Sequence, residues 1–309
     1  MKVVVAGGSG LVGRAICREL ISAGLEVVVL TRDAARAADR LTGVRLVAWD
    51  WKAAGDWRDE LSDAGAVINL AGVSVGRWPW TARRRADLIE SRVGTTRALV
   101  NAIRSLAPEH RPEALINASG TDLYEGRDVE AADENTPPAD TFLSHLVVAW
   151  EAEARKAEEL GLRVVLMRAS LVIAPGAKSL RLLALPVRLF LGGRLGSGRQ
   201  WTSWLDIDDM VGLCVLALGR PEIHGPINAA APDVRTQAEF ARALGSALHR
   251  PIWFPTPAWL IRLVFGQQST LALGSRRVWP AKALAAGYVF KRPRLEDSLD
   301  RAFHGPRPA

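Results

Sequence analysis

Three glycines at a spacing of three, Gly7, Gly10 and Gly13, follow directly on the mostly apolar run Lys2 to Ala6 and lead into a helical pattern. A strand, a tight turn and a helix in that order can hold a diphosphate, because backbone N–H groups and the positive end of a helix dipole converge at the turn. Gly7 permits the sharp turn, Gly10 leaves the space phosphates need, and Gly13 lets the helix approach the strand. Gly7, Gly10, Leu11, Val12 and Gly13 are therefore the expected dinucleotide cradle. The next strand, Glu26 to Leu30, runs into Thr31 and Arg32. An acid there would accept from the adenosine ribose, whereas an arginine pairs with a 2′-phosphate. Arg32, with Arg36 one helical turn later, thus predicts NADP(H) over NAD(H). Asn69, Leu70, Ala71 and Gly72 are small or apolar residues ending a further strand, where the diphosphate and the nicotinamide-side ribose would pass. Ser119 and Tyr124 sit on the loop after a fifth strand, Ala114 to Ala118, where a rigid strand end can position chemistry.

The elements that must position these residues alternate. Strand patterns near Val3, Val27, Leu46, Val67, Leu115 and Val164, with helical segments between them, predict an α/β fold, a doubly wound, Rossmann-like parallel sheet covered on both faces. A long helix is expected from about Trp80 to Ser105, whose Ser91, Arg92 and Thr95 could face a cofactor. An exposed acidic loop is expected over Glu130 to Asp140, followed by a helix from Phe142 to Leu160. Glycines at 192, 193, 196 and 198 and scattered prolines then break the rhythm. The expected organisation is a dinucleotide-binding domain over 1–170, with return segments near 200–230, and a smaller, partly discontinuous substrate lobe over 171–309. Trp201 and Trp204 are candidate lining residues of the cleft between them, or equally core, since a large aromatic is usually buried for packing alone.

At 309 residues and 49% hydrophobic content, the chain can bury a large core. Its net charge of +7 is spread along the chain and not interleaved with aromatics, which favours an anionic cofactor and argues against a nucleic-acid partner. The apolar stretch Leu180 to Leu191 is interrupted by Arg181 and Arg188 and is too short to span a bilayer, so an amphipathic helix and no membrane partner are expected. Cys17 and Cys214 lie in apolar helical patterns without metal-ligand spacing, so neither a disulfide nor a metal site is expected. The start of the chain lacks the pattern of a signal peptide, which makes the cytoplasm the expected location.

In order, Gly7 to Gly13, Asn69 to Gly72, Arg77-Trp78, Ser91-Arg92, Trp150-Glu151, Arg168, Gly192-Gly193, Ser203-Trp204, Asp208-Asp209, Arg250-Pro251 and Pro280 give the chain a resemblance that spans nearly its whole length. It resembles the atypical short-chain dehydrogenase/reductases, an epimerase-like family of the extended type with a C-terminal domain of unknown function. The resemblance implies an NADP(H)-binding fold, places Arg168 among the cofactor-binding residues, and matches Ser119 to the superfamily's catalytic serine. It also suggests a homodimer through the helices near Trp80 to Ser105 and Phe142 to Leu160.

Reductases of that superfamily use a tyrosine with a lysine four residues later. Here the two tyrosines, Tyr124 and Tyr288, are followed at that distance by Asp128 and Arg292, and the usual helix contains no tyrosine. Ser119 and Tyr124 together are the remaining catalytic candidates, with His145 ranking below them. Where the family carries histidine in the stretch before its paired aspartates, this chain carries Asp206, so no role is transferred to that position. Two readings follow: an NADP(H)-dependent oxidoreductase or epimerase-like enzyme acting on a small carbonyl or alcohol, and a catalytically inactive NADP(H)-binding redox sensor or regulatory protein.

Overall fold

Val3 to Val5, Val27 to Val29 and Val67 to Ile68 are apolar at every position, and such strands are stable only where a sheet is covered on both faces. The computed structural model describes residues 1–305, with 127–129 by backbone alone, and it places these runs in that setting. β1 (Lys2–Ala6), β2 (Glu26–Thr31), β3 (Arg45–Ala48), β4 (Ala66–Asn69), β5 (Ala114–Gly120), β6 (Arg163–Ala169) and β7 (Gly225–Ala229) form one parallel sheet in the order β7-β6-β5-β4-β1-β2-β3. The strand order reverses at β1 and β4, which is where ligands bind in doubly wound sheets.

Alternation along β1 divides the core. Val3 and Val5 meet Ile16, Cys17 and Leu20 of α1 (Leu11–Ser22), together with Met210, Val211 and Cys214 of the helix Ile207–Gly219. Val4 and Ala6 face the opposite layer, with Leu99, Ile103 and Ala154. Each fully buried leucine or isoleucine in these layers contributes roughly 1.5–3 kcal/mol.

Register sets the functional edge. Ser119 on β5 lies opposite Arg168 on β6, and Arg168 lies opposite Asn228 on β7. Three polar residues are thus aligned across adjacent strand ends by backbone pairing alone.

The expected long helix is realised in three pieces: Ala82–Ile89, a π-helical turn Glu90–Gly94, and Thr95–Arg104. Gly94 lies so close to the Trp51 ring that an added Cβ would fall 2.6 Å from it. The expected helix over 142–160 is α2 (Phe142–Arg155) followed by a 3-10 turn, Glu158–Leu160.

The segment 130–140 departs from the expected exposed loop. Strand Arg127–Ala132 pairs in parallel with Arg276–Val278 of the C-terminal part, and Glu134 is buried. Its carboxylate accepts from the backbone N–H groups of Asn228, at 2.9 Å, and Lys282, at 3.2 and 3.3 Å, which offsets the cost of burying the charge.

Two further short pairings lie outside the large sheet: Leu171–Ile173 with Trp204–Asp206 in parallel, and Trp201–Thr202 with Arg235–Thr236 antiparallel. Trp204 is wholly buried, with its Nε1 donating to Asp233 O at 2.7 Å, so of its two readings it is core and does not line a cleft. The stretch 178–188 is helical, as its pattern predicts, and buries Leu180, Ala184 and Val187. Its Leu182 and Leu185, with Leu189 just beyond, point outward, so the helix is apolar on both faces.

Candidate functional site

Gly7 adopts a φ of +79°, a conformation that glycine takes without steric cost, and an added Cβ would lie 2.9 Å from the Leu70 carbonyl carbon. Gly13 is tighter still: its Cβ would meet the Gly7 oxygen and the Gly8 Cα at 2.6 Å. At Gly10 the nearest atom is the Gly7 oxygen at 3.3 Å, so its other side is open. Gly10 also caps α1 with no side-chain hydrogen bond to the first turn. The first N–H groups of a helix have no intrahelical partner, so Leu11, Val12 and Gly13 can present theirs to an anion. This geometry fits a dinucleotide diphosphate.

The flanks of the cradle are held from below. Thr31 is buried with its hydroxyl 3.4 Å from that of Ser9. Arg32 is exposed, and its guanidinium pairs with no carboxylate among the described residues. The neighbouring Asp33 is occupied in capping a short helix through the N–H of Arg36, at 2.9 Å. On the other side, buried Asn69 donates to Thr96 Oγ1 at 2.9 Å and to Asn117 Oδ1 at 2.7 Å, while its own carbonyl accepts from the N–H of Ala71. The loop Leu70 to Gly72 is thereby fixed to β5. Ser91 receives the Val73 N–H at 3.2 Å, and the Arg92 side chain lies against Gly72 and over the Trp150 ring. Burial pushes the Arg92 guanidinium down to about 10, with Asp122 opposing the shift.

At the exit of β5, Ser119 is nearly buried and donates to Glu151 Oε1 at 2.6 Å. Glu151, one helix away on α2, also accepts Arg168 Nε on Oε1 and Nη2 on Oε2, both at 2.8 Å, in a fork-to-fork ion pair. Arg168 is therefore not a free cofactor contact as expected; its guanidinium binds Glu151, the Glu134 carbonyl and the Tyr124 hydroxyl. Tyr124 is wholly enclosed, and its hydroxyl donates in turn to Asn228 Oδ1 at 2.9 Å. Burial pushes this phenol up to about 12, and Arg168 only partly opposes the shift. The expectation that Tyr124 would face substrate beside Ser119 is corrected accordingly: it is a neutral strut behind Arg168.

The α2 face that meets the β5 exit carries Leu143 and Val147, four residues apart and both buried, with Val147 against Gly120. His145 points away, exposed and paired with Asp140 at 2.9 Å. A small cavity of about 150 Å³ lies at this face, lined by Trp80, Glu125, Phe142, Leu143, Gln267 and Thr270, and so formed by both parts of the chain. Burial raises the Glu125 carboxyl above the usual carboxylate range, opposed by Arg276 at 3.5 Å. Arg276 Nε also lies 2.9 Å from Asp122 Oδ1. A larger cleft of about 510 Å³ runs along α1 past Arg14, Asp208 and Arg301, sharing Leu11 with the cradle but none of the residues around Ser119.

Glu125, Arg276 and Asn228 were not legible as site residues, and Glu151 entered only within the Trp150-Glu151 pair that supports the family resemblance, with no role attached. A single charged or polar side chain is a signal that many solvated faces share. Asp206 is a helix cap and not a site residue: it accepts the Asp208 N–H at 2.8 Å and Arg301 Nη1 at 3.1 Å. Asp209 likewise ties the C-terminal segment through Tyr288, Lys291 and Arg292.

The profile of the NAD dependent epimerase/dehydratase family matches residues 3–230. The chain belongs to that family. A second profile, a domain of unknown function (DUF1731), matches residues 256–302 of this epimerase-family chain. Among relatives, the mouse epimerase family protein SDR39U1 is 36% identical over 310 residues, covering 97% of this chain and 98% of its own. An epimerase family protein of Staphylococcus epidermidis is 34% identical over 302 residues, covering 97% and 98%. The crystal structure of human SDR39U1 (isoform 2) with NADPH superposes with a TM-score of 0.84 at 32% identity, over 98% of this chain and 99% of that one. UDP-glucuronic acid 4-epimerase of Bacillus cereus, at 16% identity and a TM-score of 0.78, shares the fold.

Proposed function

We propose that this epimerase-family chain is an NADP(H)-dependent oxidoreductase or epimerase-like enzyme whose small carbonyl or alcohol substrate sits between the sheet domain and the C-terminal lobe. The observation that carries this reading is the Ser119 hydroxyl, held at the sheet's carboxyl edge by a buried carboxylate that is itself clamped by Arg168. Gly7, Gly10, Leu11, Val12 and Gly13 would hold the diphosphate, Thr31 and Arg32 the adenosine end, and Asn69 to Gly72 the inner ribose. The human relative crystallised with NADPH supports that choice of cofactor. When bound, the nicotinamide supplies or accepts the hydride.

The chain's own residues handle the proton. With its hydrogen directed at Glu151, Ser119 Oγ has lone pairs available to a substrate hydroxyl. As an alcohol is oxidised, its proton passes to Ser119 Oγ while the serine proton passes to Glu151; reduction of a carbonyl runs the same transfers backwards. Arg168 orients Glu151 through both oxygens, and Tyr124 and Asn228 orient Arg168.

A screen of aldehydes, ketones and alcohols that follows absorbance of reduced nicotinamide tests this. Ser119→Ala and Glu151→Gln should each lower turnover by about a hundredfold or more, with NADPH affinity unchanged. Turnover that survives both substitutions would remove the relay from the mechanism. The sensor reading is favoured by one observation, the apolar pair Leu143 and Val147 where a tyrosine and a lysine would serve. Tight NADPH binding with no turnover of any compound would select it.

A further inference from the structure

The chain's acidic residues are segregated. No Asp or Glu occurs between Glu159 and Asp206, nor between Glu239 and Glu296, while those intervals hold seven and nine Lys and Arg respectively. The two intervals meet in space. Trp253 and Phe254 both donate their N–H groups to the Gly192 carbonyl, Leu195 bridges Thr256, and the Arg250 guanidinium lies 4.7 Å from the centre of the Phe190 ring. Large apolar side chains are exposed throughout this junction: Leu191 at 59%, Trp253 at 67%, Phe254 at 58%, then Trp259 at 66% and Leu263 at 75% on the short helix Ala258–Phe265. Only Ile261 of that helix is buried. Arg181, Arg188, Arg194, Arg250 and Arg262 are exposed in the same segments.

Exposed apolar clusters of this kind mark interaction surfaces, and the charge selects the partner. A second copy of the same face would bring like-charged arginines together, so the partner must be negatively charged. Phe190, Leu191, Trp253 and Phe254 project from the end of one helix and from a loop. Aromatic and aliphatic side chains accompanied by arginines suit the headgroup boundary of a bilayer, where tryptophan and arginine both partition. We propose that this face docks on an anionic membrane surface, inserting Leu191, Trp253 and Phe254 while the arginines contact lipid phosphates. No helix of the described residues is long and apolar enough to cross a membrane, so the contact is peripheral. This departs from the sequence-based expectation of no membrane partner, which considered spans alone.

The test mixes the full chain with vesicles of phosphatidylcholine alone and with vesicles enriched in phosphatidylglycerol, reading flotation and tryptophan emission. Binding with a blue shift is expected on the phosphatidylglycerol vesicles, weakening as salt is raised. Trp253→Ser combined with Phe254→Ser should lower partitioning about tenfold or more at an unchanged thermal midpoint. Arg188→Glu combined with Arg250→Glu keeps the apolar side chains and should abolish the preference for anionic vesicles. Absent or equal binding to both vesicle types overturns the proposal. So does a concentration-dependent dimer that the serine substitutions convert to monomer, which would assign the face to a second copy. Saturable binding of polyglutamate without vesicle binding would assign it to an acidic protein.

Discussion

Ser119 and Arg168 are register partners on adjacent parallel strands, and Glu151 bonds to both of them from a single carboxylate. The hydroxyl expected to touch substrate and the guanidinium expected to touch cofactor are thus joined through a residue 32 positions from one and 17 from the other.

Removing that carboxylate leaves a buried guanidinium without its counter-charge. Glu151→Ala should therefore destabilise the fold by about 3–5 kcal/mol, and Tyr124→Phe by about 1–3 kcal/mol through the unpaired Asn228 and Arg168 groups. Glu151→Gln keeps the shape and should cost less than the alanine. Urea unfolding of the three variants checks the order, and a Glu151→Ala protein as stable as the parent would show that Arg168 finds another partner.

The glycines of the cradle should separate fold from binding. Gly13→Ala drives a Cβ into backbone atoms at 2.6 Å and should cost about 1–3 kcal/mol of stability. At Gly10 the nearest atom is 3.3 Å away, so Gly10→Val should fold and yet lose NADPH binding, its methyls occupying the diphosphate's approach. Thermal unfolding with and without NADPH distinguishes the two. Full NADPH stabilisation of Gly10→Val would place the diphosphate elsewhere.

Arg32 stands exposed, without a carboxylate partner among the described residues, next to Asp33, whose side chain is occupied as a cap. NADPH should bind more tightly than NADH, because the guanidinium makes charge-assisted bonds that only the 2′-phosphate can accept. Arg32→Asp should abolish or reverse the preference. Titration by tryptophan fluorescence measures it, and equal affinities in the parent protein would end the assignment.

Both cysteine thiols are pushed up to about 12 by burial, Cys17 beneath Gly8 and Cys214 on the helix packed against α1. A thiol raised to that level stays protonated well past neutrality, leaving roughly one thiolate in ten thousand at pH 8. Disulfide-exchange reagents should label neither thiol in the folded protein and both after unfolding. Fast labelling of the folded protein would show that the layer between α1 and Ile207–Gly219 opens readily.

The parts of this protein that the sequence by itself determined are those whose cause is local. The continuous apolar runs at Val3, Val27 and Val67 specify buried parallel strands, because no other setting hides both of their faces. Gly7 needs its positive φ within the same few residues that form the turn, so the cradle is written in one short stretch. What only the tertiary structure decided is the chemistry around it. Glu151, Arg168, Tyr124 and Asn228 come from four separate elements; Tyr124 and Arg168 could be singled out in the sequence as candidates, but that they bond to one another, to Glu151 and to Asn228 follows only from strand register and the packing of α2 over the sheet. The same holds for Glu134, whose acidic, proline-containing surroundings read as exposed loop although the N–H groups of Asn228 and Lys282, about a hundred residues away or more, hold it inside. A polar side chain's partner is set by the path of the chain, and local composition carries no record of which distant group arrives opposite it.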